Sequence, residues 1–407
     1  MSNANQVKFS PPIGEINAMA PSNNIYSDRL FLNRLVLTDF RNYVRAELKT
    51  GPAPVVLFGE NGAGKTNLLE AISLFVPGRG LRRTAFHNLT RQNATGNWGL
   101  AASFNGPEGT CDVGTGINGT NETGNRREVR IDGQTVSGSG VLSSYFKIIW
   151  LTPAMDRLFT GPASDRRRFL DRLVSAFDNQ HASRVLSFEK AMRERNRLLE
   201  QPNPDAKWLE VLEKQMAEVA IAIAAARREA VICLEAFNDE NHDNVVSEFP
   251  RAILELEGEL EIQLNEIPAV KVEDNYRIML ADSRRLDARA GRTLKGPHRT
   301  DLIVHHKPSG MLASLCSTGE QKALLIGLVL AHGFVIRGVW NGYAPLLLLD
   351  EIAAHLDQTR RAAMFKAVMA LGTQAWMTGT DEYLFEAIAS EAQCYRIDHG
   401  SIEPVCY

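Results

Sequence analysis

GENGAGKT, at residues 59–66, decides the fold, because it matches the P-loop pattern GxxxxGK[ST]. The apolar run VVLF precedes it at residues 55–58, and the helical pattern NLLEAISLF follows it at residues 67–75. A strand, a glycine-rich turn and a helix in this order turn backbone N–H groups and a helix N-terminus toward phosphate oxygens. The sequence therefore predicts an α/β fold with a nucleotide phosphate site at this turn.

The residue types in the P-loop predict how the phosphates are held. Lys65 is expected to neutralise the β and γ phosphates, and the Thr66 hydroxyl to ligate Mg²⁺. ATP and Mg²⁺ are thus the predicted cofactors. The predicted cofactor-binding residues of this segment are Gly59, Glu60, Asn61, Gly62, Ala63, Gly64, Lys65, Thr66 and Asn67.

A second candidate segment is LLLLDE, at residues 346–351. Four consecutive aliphatic residues indicate a strand buried on both faces of a parallel sheet, and ligands of such sheets bind at the carboxyl ends of the strands. Asp350 is then predicted as a second Mg²⁺ ligand, and Glu351 as the catalytic general base that orients the attacking water. An apolar strand that ends in acids is also common in ordinary cores, so this prediction depends on the P-loop.

A third segment, STGEQ at residues 317–321, opens an apolar helical run. Ser317 and Glu320 have the spacing of a capping box. Either the segment only caps a core helix, or its free amides and hydroxyl bind an anion. Under the second interpretation the cofactor-binding residues are Ser317, Gly319, Glu320 and Gln321.

Composition sets few limits on function. The 407 residues have a formal net charge of -3 and are 44% hydrophobic, as in an average globular protein of two or three domains. No global positive field draws the chain to nucleic acid or membranes. The five scattered cysteines lack zinc-ligand spacing and predict reduced thiols in a cytosolic protein. The apolar run at residues 323–336 predicts a buried core helix rather than a membrane span.

The order of patterns along the chain predicts its organisation. A β-hairpin opens the fold from residue 30, and a small antiparallel sheet follows between residues 98 and 136. Residues 114–125 are expected to form either the flexible tip of a hairpin or a long solvated loop. Helical patterns occupy residues 163–241, and an unbroken helix at 205–237 predicts an antiparallel helical hairpin that stands off the main body.

The signature-like STGEQ lies close before LLLLDE and far after the P-loop, which resembles the order in ABC-type ATPases. LTDFRNY at 37–43, GPASDRRRFLD at 161–171 and KGPHRTDL at 295–302 make the resemblance closer, to the bacterial RecF family of SMC-like ATPases. The resemblance implies an ABC-type P-loop ATPase head with an inserted helical domain, a short antiparallel helix hairpin. The expected domains are a disordered extension (1–29), the N-terminal part of the ATPase domain (30–160), an inserted helical arm (161–290) and the C-terminal part of the ATPase domain (291–407).

The resemblance also implies a function. A RecF-type protein would form an ATP-dependent homodimer in which each signature segment caps the ATP of the other copy. It would bind gapped, single-stranded and duplex DNA, help RecO and RecR load RecA for gap repair, replication restart and the SOS response, and hydrolyse ATP slowly with stimulation by DNA. The expected location is the cytoplasm, with the nucleoid, and no membrane partner is expected.

Two alternatives stay open. The chain could be an ABC-type subunit that energises another machine such as a transporter, or a nucleotide-gated scaffold with negligible turnover. WLTPAMD at 150–156 has no Q-loop glutamine, and Thr378 and Thr380 stand where transporter subunits carry a switch histidine. These departures argue against a transporter subunit.

Local arginine clusters are the candidates for DNA contact, although most such runs are simply solvated helix faces. Arg166–Arg168 could instead belong to the core. No aromatic residues interleave the clusters, so base-specific contacts are not predicted. The clusters are Arg79, Arg82 and Arg83; Arg166, Arg167 and Arg168; Arg193, Arg195 and Arg197; and Arg284, Arg285, Arg289 and Arg292.

Overall fold

The computed structural model describes residues 29–94, 96–117 and 127–405. The predicted disorder of residues 1–28 therefore lies outside the described part. The strands are β1 (Phe31–Phe40), β2 (Tyr43–Lys49), β3 (Val55–Phe58), β4 (Gly99–Gly106), β5 (Gly109–Ile117), β6 (Arg127–Ile131), β7 (Gln134–Thr135), β8 (Ile148–Leu151), β9 (Ala252–Glu257), β10 (Asp301–His306), β11 (Met311–Leu312), β12 (Leu346–Leu349), β13 (Ala375–Gly379), β14 (Gln393–Asp398) and β15 (Ser401–Val405). The helices are α1 (Lys65–Ser73), α2 (Leu142–Tyr145), α3 (Ala163–Phe177), α4 (His181–Leu199), α5 (Ala206–Val245), α6 (Glu259–Glu266), α7 (Ala269–Ala290), α8 (Thr318–Val339) and α9 (Gln358–Leu371).

A mostly parallel sheet of six strands forms the centre of the fold, in the order β15-β14-β3-β13-β12-β8. Its strand β12 is buried along its whole length, as predicted, because both faces of the sheet are covered. Leu347 and Leu349 join a core that includes α8 and α9, whereas Leu346 and Leu348 join a core that includes α1. The predicted α/β fold is confirmed, and β12 is flanked by β13 on one side and β8 on the other.

A second sheet is antiparallel, in the order β2-β1-β4-β5-β6-β7. It contains the predicted opening hairpin, in which Phe40 pairs with Tyr43. The prediction of a flexible tip or loop from residue 114 is wrong at its start, because β5 extends to Ile117. Thr115 and Ile117 are buried there on alternate positions, and neither Gly114 nor Gly116 interrupts the strand. The remainder of that predicted tip, residues 118–125, falls outside the described residues.

The inserted helices form an arm around α4, α5 and α7. Helix α5 has 40 residues, which at about 1.5 Å per residue gives it a length of roughly 60 Å. The predicted apolar stripe is buried: Leu209, Leu212, Met216, Ile223, Val231 and Leu234, with Val219 partly buried. The prediction that the whole hairpin stands off the body is wrong for the second half of α5, which joins the main core.

The arm and the ATPase part share a small sheet. Its order is β11-β10-β9, and β9 pairs antiparallel with β10 from Asp301–Glu257 to His306–Ala252. Strand β9 lies within the segment expected to be inserted, and β10 lies beyond it. The two parts of the chain are therefore joined by backbone hydrogen bonds as well as by side-chain packing.

Helix α8 is the one helix in the described residues that is long and apolar enough to cross a membrane. Within its most apolar window, 78% of the residues are buried inside the protein. The prediction of a core helix is confirmed, because α8 packs against the central sheet and the arm. Its N-terminus carries the STGEQ segment to the surface.

Candidate nucleotide site

The P-loop between β3 and α1 requires glycine at two of its positions. Gly59 has a φ of 147°, and a Cβ there would lie 2.2 Å from the carbonyl oxygen of Ile397 on β14. Gly64 has a φ of 121°, and a Cβ there would lie 2.6 Å from Asn42 Nδ2 and from the Tyr43 hydroxyl oxygen. Both φ values are ones that residues with a side chain rarely adopt. The tight loop is thus fixed by its neighbours on both sides.

The turn between β1 and β2 holds the P-loop from outside. Asn42 Nδ2 donates to the carbonyl oxygen of Ala63 at 3.0 Å, and the Tyr43 hydroxyl donates to that of Gly64 at 3.1 Å. Asn67 Nδ2 at the start of α1 donates to Asn42 Oδ1 at 2.7 Å. Burial raises the pKa of Tyr43, so its hydroxyl keeps the donor proton at neutral pH. Sequence reasoning missed Asn42 and Tyr43, although LTDFRNY had been noted as a family-like segment.

Lys65 is folded into the loop that it follows. Its side chain is 3% exposed, and Nζ donates to the carbonyl oxygens of Gly59 at 2.6 Å and Glu60 at 2.8 Å. Burial lowers the pKa of Lys65, while the carboxylates of Glu351 and Asp350 act in the opposite direction. The ammonium group therefore lies within electrostatic reach of the end of β12.

Asp350 meets the P-loop directly. Thr66 Oγ1 donates to Asp350 Oδ1 at 2.9 Å, across 284 positions of sequence. Thr378 Oγ1, from the neighbouring strand β13, donates to the same oxygen at 2.9 Å. Burial raises the pKa of Asp350, and the two hydroxyl hydrogen bonds oppose this shift. The structure thus brings together Lys65, Thr66 and Asp350, three of the predicted site residues.

Glu351 follows Asp350 in an unusual backbone conformation. Its φ is 53°, in the left-handed region, which few residues other than glycine occupy. Its backbone N–H donates to Thr378 Oγ1 at 2.8 Å. The side chain is half-buried beside the P-loop lysine. In the sequence, Thr378 stands out only as part of the region without a switch histidine, and no pattern marks it as a contact of both acids.

The donors at this site fit Mg²⁺. In the part of the chain that the structure describes, no group of three or more His, Cys, Asp or Glu gathers to hold a metal by itself. Mg²⁺ needs no such group, because one or two carboxylates and the phosphates of a nucleotide usually hold it. The Thr66 hydroxyl and the Asp350 carboxylate would supply the protein oxygens. When bound, the ion neutralises charge on the β and γ phosphates.

The STGEQ segment lies apart from this cluster, at the N-terminus of α8. The predicted capping box is present: Glu320 N donates to Ser317 Oγ, while Ser317 N donates to Glu320 Oε2 at 2.8 Å. Ser317 and Gly319 are exposed, whereas the Gln321 amide turns inward and donates to the carbonyl oxygen of Cys316. Of the four residues predicted here, Ser317 and Gly319 therefore face solvent, at the first turn of α8.

Comparison with known proteins decides the family. A family model described as the RecF/RecN/SMC N terminal domain matches residues 31–402. The DNA replication and repair protein RecF of Mesorhizobium japonicum is 52% identical over 373 residues, which cover 92% of this chain and 97% of the relative. The chain belongs to the RecF family.

Solved structures agree on the fold. A RecF–ATP structure, described as a recombination mediator protein in the RecFOR pathway, has a TM-score of 0.79 at 20% identity and covers 95% of this chain and 100% of its own. An Smc head domain from Pyrococcus furiosus has a TM-score of 0.51 at 15% identity and covers 92% and 96% of the two chains. The RecF fold and the SMC head fold thus share this architecture, as predicted.

Among the arginines of this RecF-family chain, Arg195 is wrong as a candidate for DNA contact, and three others are held by partners within the fold. Arg195 is fully buried in the arm, and Arg284 forms an ion pair with Glu213. Arg166 pairs with Asp301 at 2.6 Å, and Arg167 donates to the carbonyl oxygen of Thr300 at 2.9 Å. The two family-like segments GPASDRRRFLD and GPHRTDL therefore bind each other, which confirms the alternative that Arg166 and Arg167 belong to the fold. The candidates that remain exposed are Arg79, Arg82, Arg83, Arg168, Arg193, Arg197, Arg285, Arg289 and Arg292.

Proposed function

We propose that this chain is an ATP-dependent DNA-binding recombination mediator with slow ATP hydrolysis. The observation that carries the proposal is the 2.9 Å hydrogen bond between Thr66 of the P-loop and Asp350 at the end of β12. It joins the two halves of an ABC-type nucleotide site across the arm insertion. Family membership and the RecF–ATP structure support ATP as the nucleotide.

The site residues have distinct roles in this proposal. Lys65 and the loop amides bind the phosphates, while Thr66 and Asp350 supply the oxygen ligands of Mg²⁺. Glu351 orients and deprotonates the attacking water. Glu351 is assigned as the base because it directly follows Asp350 at the end of β12 and its carboxylate acts electrostatically on Lys65.

The STGEQ segment acts on a second copy of the chain. Its helix N-terminus is exposed, and the first N–H groups of a helix have no partner within the helix. Such a terminus binds phosphate oxygens well. In the proposed homodimer, Ser317 and Gly319 of each copy meet the γ-phosphate held by the other, with Glu320 and Gln321 keeping the turn in shape.

The biological role follows from the family. Relatives are named DNA replication and repair proteins, and a solved neighbour is described as a mediator in the RecFOR pathway. We infer that the ATP-bound dimer binds DNA at single-strand gaps in the cytoplasm and helps RecO and RecR load RecA. Gap repair, replication restart and SOS induction would depend on that loading.

Arg79, Arg83 and Arg168 form the surface proposed to contact DNA phosphates. All three are exposed. Burial and then the neighbouring charges of Arg168 and Arg79 lower the pKa of Arg83, while the Glu189 carboxylate acts in the opposite direction. Arg168 also pairs with Asp165 one turn earlier on α3, and the exposed positive charge of the three side chains together suits a polyanion. Arg82, beside them, is instead tied to Asn67 and Glu70 at the P-loop helix.

The experiment that tests the proposal is sedimentation of Glu351→Gln and Lys65→Ala proteins with and without ATP and Mg²⁺. Glu351→Gln should bind ATP and remain dimeric, because the nucleotide is not consumed. Lys65→Ala should stay monomeric, because the phosphates lose their buried cation. Wild-type protein should dimerise transiently and release phosphate slowly, faster with gapped DNA.

Two outcomes would reject parts of the proposal. A monomeric Glu351→Gln protein in saturating ATP would contradict the dimer. A wild-type protein that dimerises and binds DNA, yet releases no phosphate with or without gapped DNA, would be a nucleotide-gated scaffold instead.

A further inference from the structure

Thr378 is a polar residue in an otherwise apolar, fully buried strand. Strand β13 reads AWMTG, and all five of its residues are buried. Thr378 itself is 1% exposed. Strand β13 runs parallel to β12 with Leu349 opposite Met377, so Thr378 stands opposite Asp350 where β12 ends. Strand register therefore places Thr378 beside Asp350, at the carboxyl ends of the parallel strands where such sheets bind ligands.

One hydroxyl group connects both acids of the site. Thr378 Oγ1 donates to Asp350 Oδ1 at 2.9 Å and accepts from the backbone N–H of Glu351 at 2.8 Å. A hydroxyl has one donor proton and two acceptor lone pairs, so both bonds form at once. The backbone pairing of β12 with β13 ends at Leu349 and Met377, so the Glu351 N–H donates to the Thr378 side chain rather than to a backbone group of β13.

The bond to Glu351 bears on its backbone conformation. Glu351 has a φ of 53°, in a region that residues with a Cβ rarely adopt without support from their surroundings. Its N–H is held by Thr378 while the neighbouring Asp350 is held by Thr66 and Thr378. The direction of the Glu351 side chain is set by this backbone, so loss of the bond would release the carboxylate from its place.

We propose that Thr378 is a positioning residue, which fixes Glu351 through its backbone amide and so sets the rate of the hydrolytic step. The inference rests on the proposed ATP hydrolysis by Glu351. Thr378 is not assigned any contact with nucleotide. Its function is to keep the general base and the Asp350 carboxylate in a fixed relation as ATP and water enter.

Thr373 offers a matched control at the other end of β13. It is also 1% exposed, and its hydroxyl donates to the carbonyl oxygen of Pro345, just before β12. Thr→Val removes a buried hydroxyl of the same size at either position. Only at position 378 does that hydroxyl contact the two acids.

The test compares Thr378→Val, Thr378→Ser and Thr373→Val in steady-state phosphate release and in ATP binding. Thr378→Val should lower kcat by about tenfold or more while leaving KM for ATP within about twofold, because Thr378 has no assigned contact with nucleotide and Asp350 keeps its hydrogen bond from Thr66. Thr378→Ser should restore most of kcat, since it keeps the hydroxyl. Thr373→Val should leave kcat unchanged.

Hydrogen exchange by mass spectrometry supplies a readout that needs no turnover. In Thr378→Val, a peptide that covers residues 348–354 should lose protection of about one amide, that of Glu351. Thr373→Val should not change this peptide. If wild-type protein releases no phosphate, the proposed hydrolysis fails, and the exchange result still decides the contact. An unchanged kcat in Thr378→Val, an equal loss in Thr373→Val, or a Glu351 amide that stays protected would each overturn the inference.

Discussion

At the scale of single residues, two histidines are held in the neutral form inside the protein. Burial lowers the pKa of His298 to about 4, against an opposing hydrogen bond with the Thr293 carbonyl oxygen at 3.0 Å. Burial also lowers the pKa of His332 to about 3. The pKa of histidine in an unfolded chain is about 6.5. Between these values the unfolded chain binds more protons than the folded chain, so stability rises with pH there.

This difference predicts acid sensitivity. The histidine contribution should be fully present above about pH 7 and lost as pH falls through about 6.5 toward 4. Urea unfolding at several pH values between 7 and 5 gives the free energy of unfolding as a function of pH. For His298→Gln this free energy should change less steeply with pH than for wild type, by up to about 1.4 kcal/mol per pH unit. His399→Gln is the control, because that side chain is 92% exposed. Equal slopes in wild type and His298→Gln would contradict the prediction.

The nucleotide site could be predicted from sequence only in part. Lys65, Thr66 and Asp350 lie in local patterns whose chemistry implies a position in the fold. Tyr43 and Thr378 act through contacts that depend on how strands pair, with Phe40 opposite Tyr43 and Leu349 opposite Met377. A sequence pattern does not show which strands become neighbours or in which register. Those two residues were therefore missed as members of the site.

At the scale of elements, the arm is held together by one buried arginine. Arg195 on α4 contacts Glu213 on α5 at 3.0 Å and Asp287 on α7 at 2.8 Å, and Nη2 donates to the carbonyl oxygen of Leu280 at 2.7 Å. Arg195 and its two acidic partners are almost wholly buried. One guanidinium group therefore joins three helices; Asp287 has it as its ion-pair partner, while Glu213 also pairs with Arg284.

We predict a large loss of stability when this group is removed. Arg195→Met should lower the free energy of unfolding by about 3–5 kcal/mol, because it leaves the buried Asp287 carboxylate without its counter-charge and Glu213 with Arg284 alone. Arg193→Met is the matched control, since its side chain is 67% exposed, and it should change stability by about 0.5 kcal/mol or less. Thermal and urea unfolding measure both. Similar unfolding of the two variants would show that the network contributes little.

Arg195 also illustrates what a pattern of elements can and cannot predict. The helical periodicity of α5 correctly predicted its buried stripe, because apolar spacing depends on one helix alone. The cluster of arginines in α4 is typical of a solvated helix face or a DNA contact, whereas the third helix, α7, covers Arg195. The pattern also predicts a helical hairpin that stands off the main body, but Leu234 and Phe237 in the second half of α5 pack in the main core. Burial by a distant segment is not encoded in the spacing of the helix that it covers.

At the scale of the whole molecule, the net charge of -3 leaves DNA binding to a local surface. The triple variant Arg79→Ala, Arg83→Ala, Arg168→Ala should weaken binding to gapped DNA. It should also make the dependence of log affinity on log salt shallower, by up to roughly 0.9 for each arginine that contacts a phosphate. Fluorescence anisotropy over a range of salt concentrations, with ATP present, gives both quantities.

The control removes the same number of charges elsewhere. Arg285→Ala, Arg289→Ala, Arg292→Ala changes three exposed arginines at the end of α7. It should leave both the affinity and its salt dependence near the wild-type values. If this triple variant instead weakens binding more than the first, the DNA contact lies on the arm rather than beside the P-loop.

The placement of β3 in the central sheet has a consequence for synthesis of the protein. Strand β3 pairs with β13 on one side and β14 on the other, so an early segment fits between two late ones. Leu32 and Gln374, which share a hydrogen bond, are 342 positions apart. At about 5–20 residues per second a ribosome needs roughly 20–70 s to span that interval. A nascent chain can form the β1–β2 hairpin early, but it acquires a closed nucleotide pocket only when translation is almost complete.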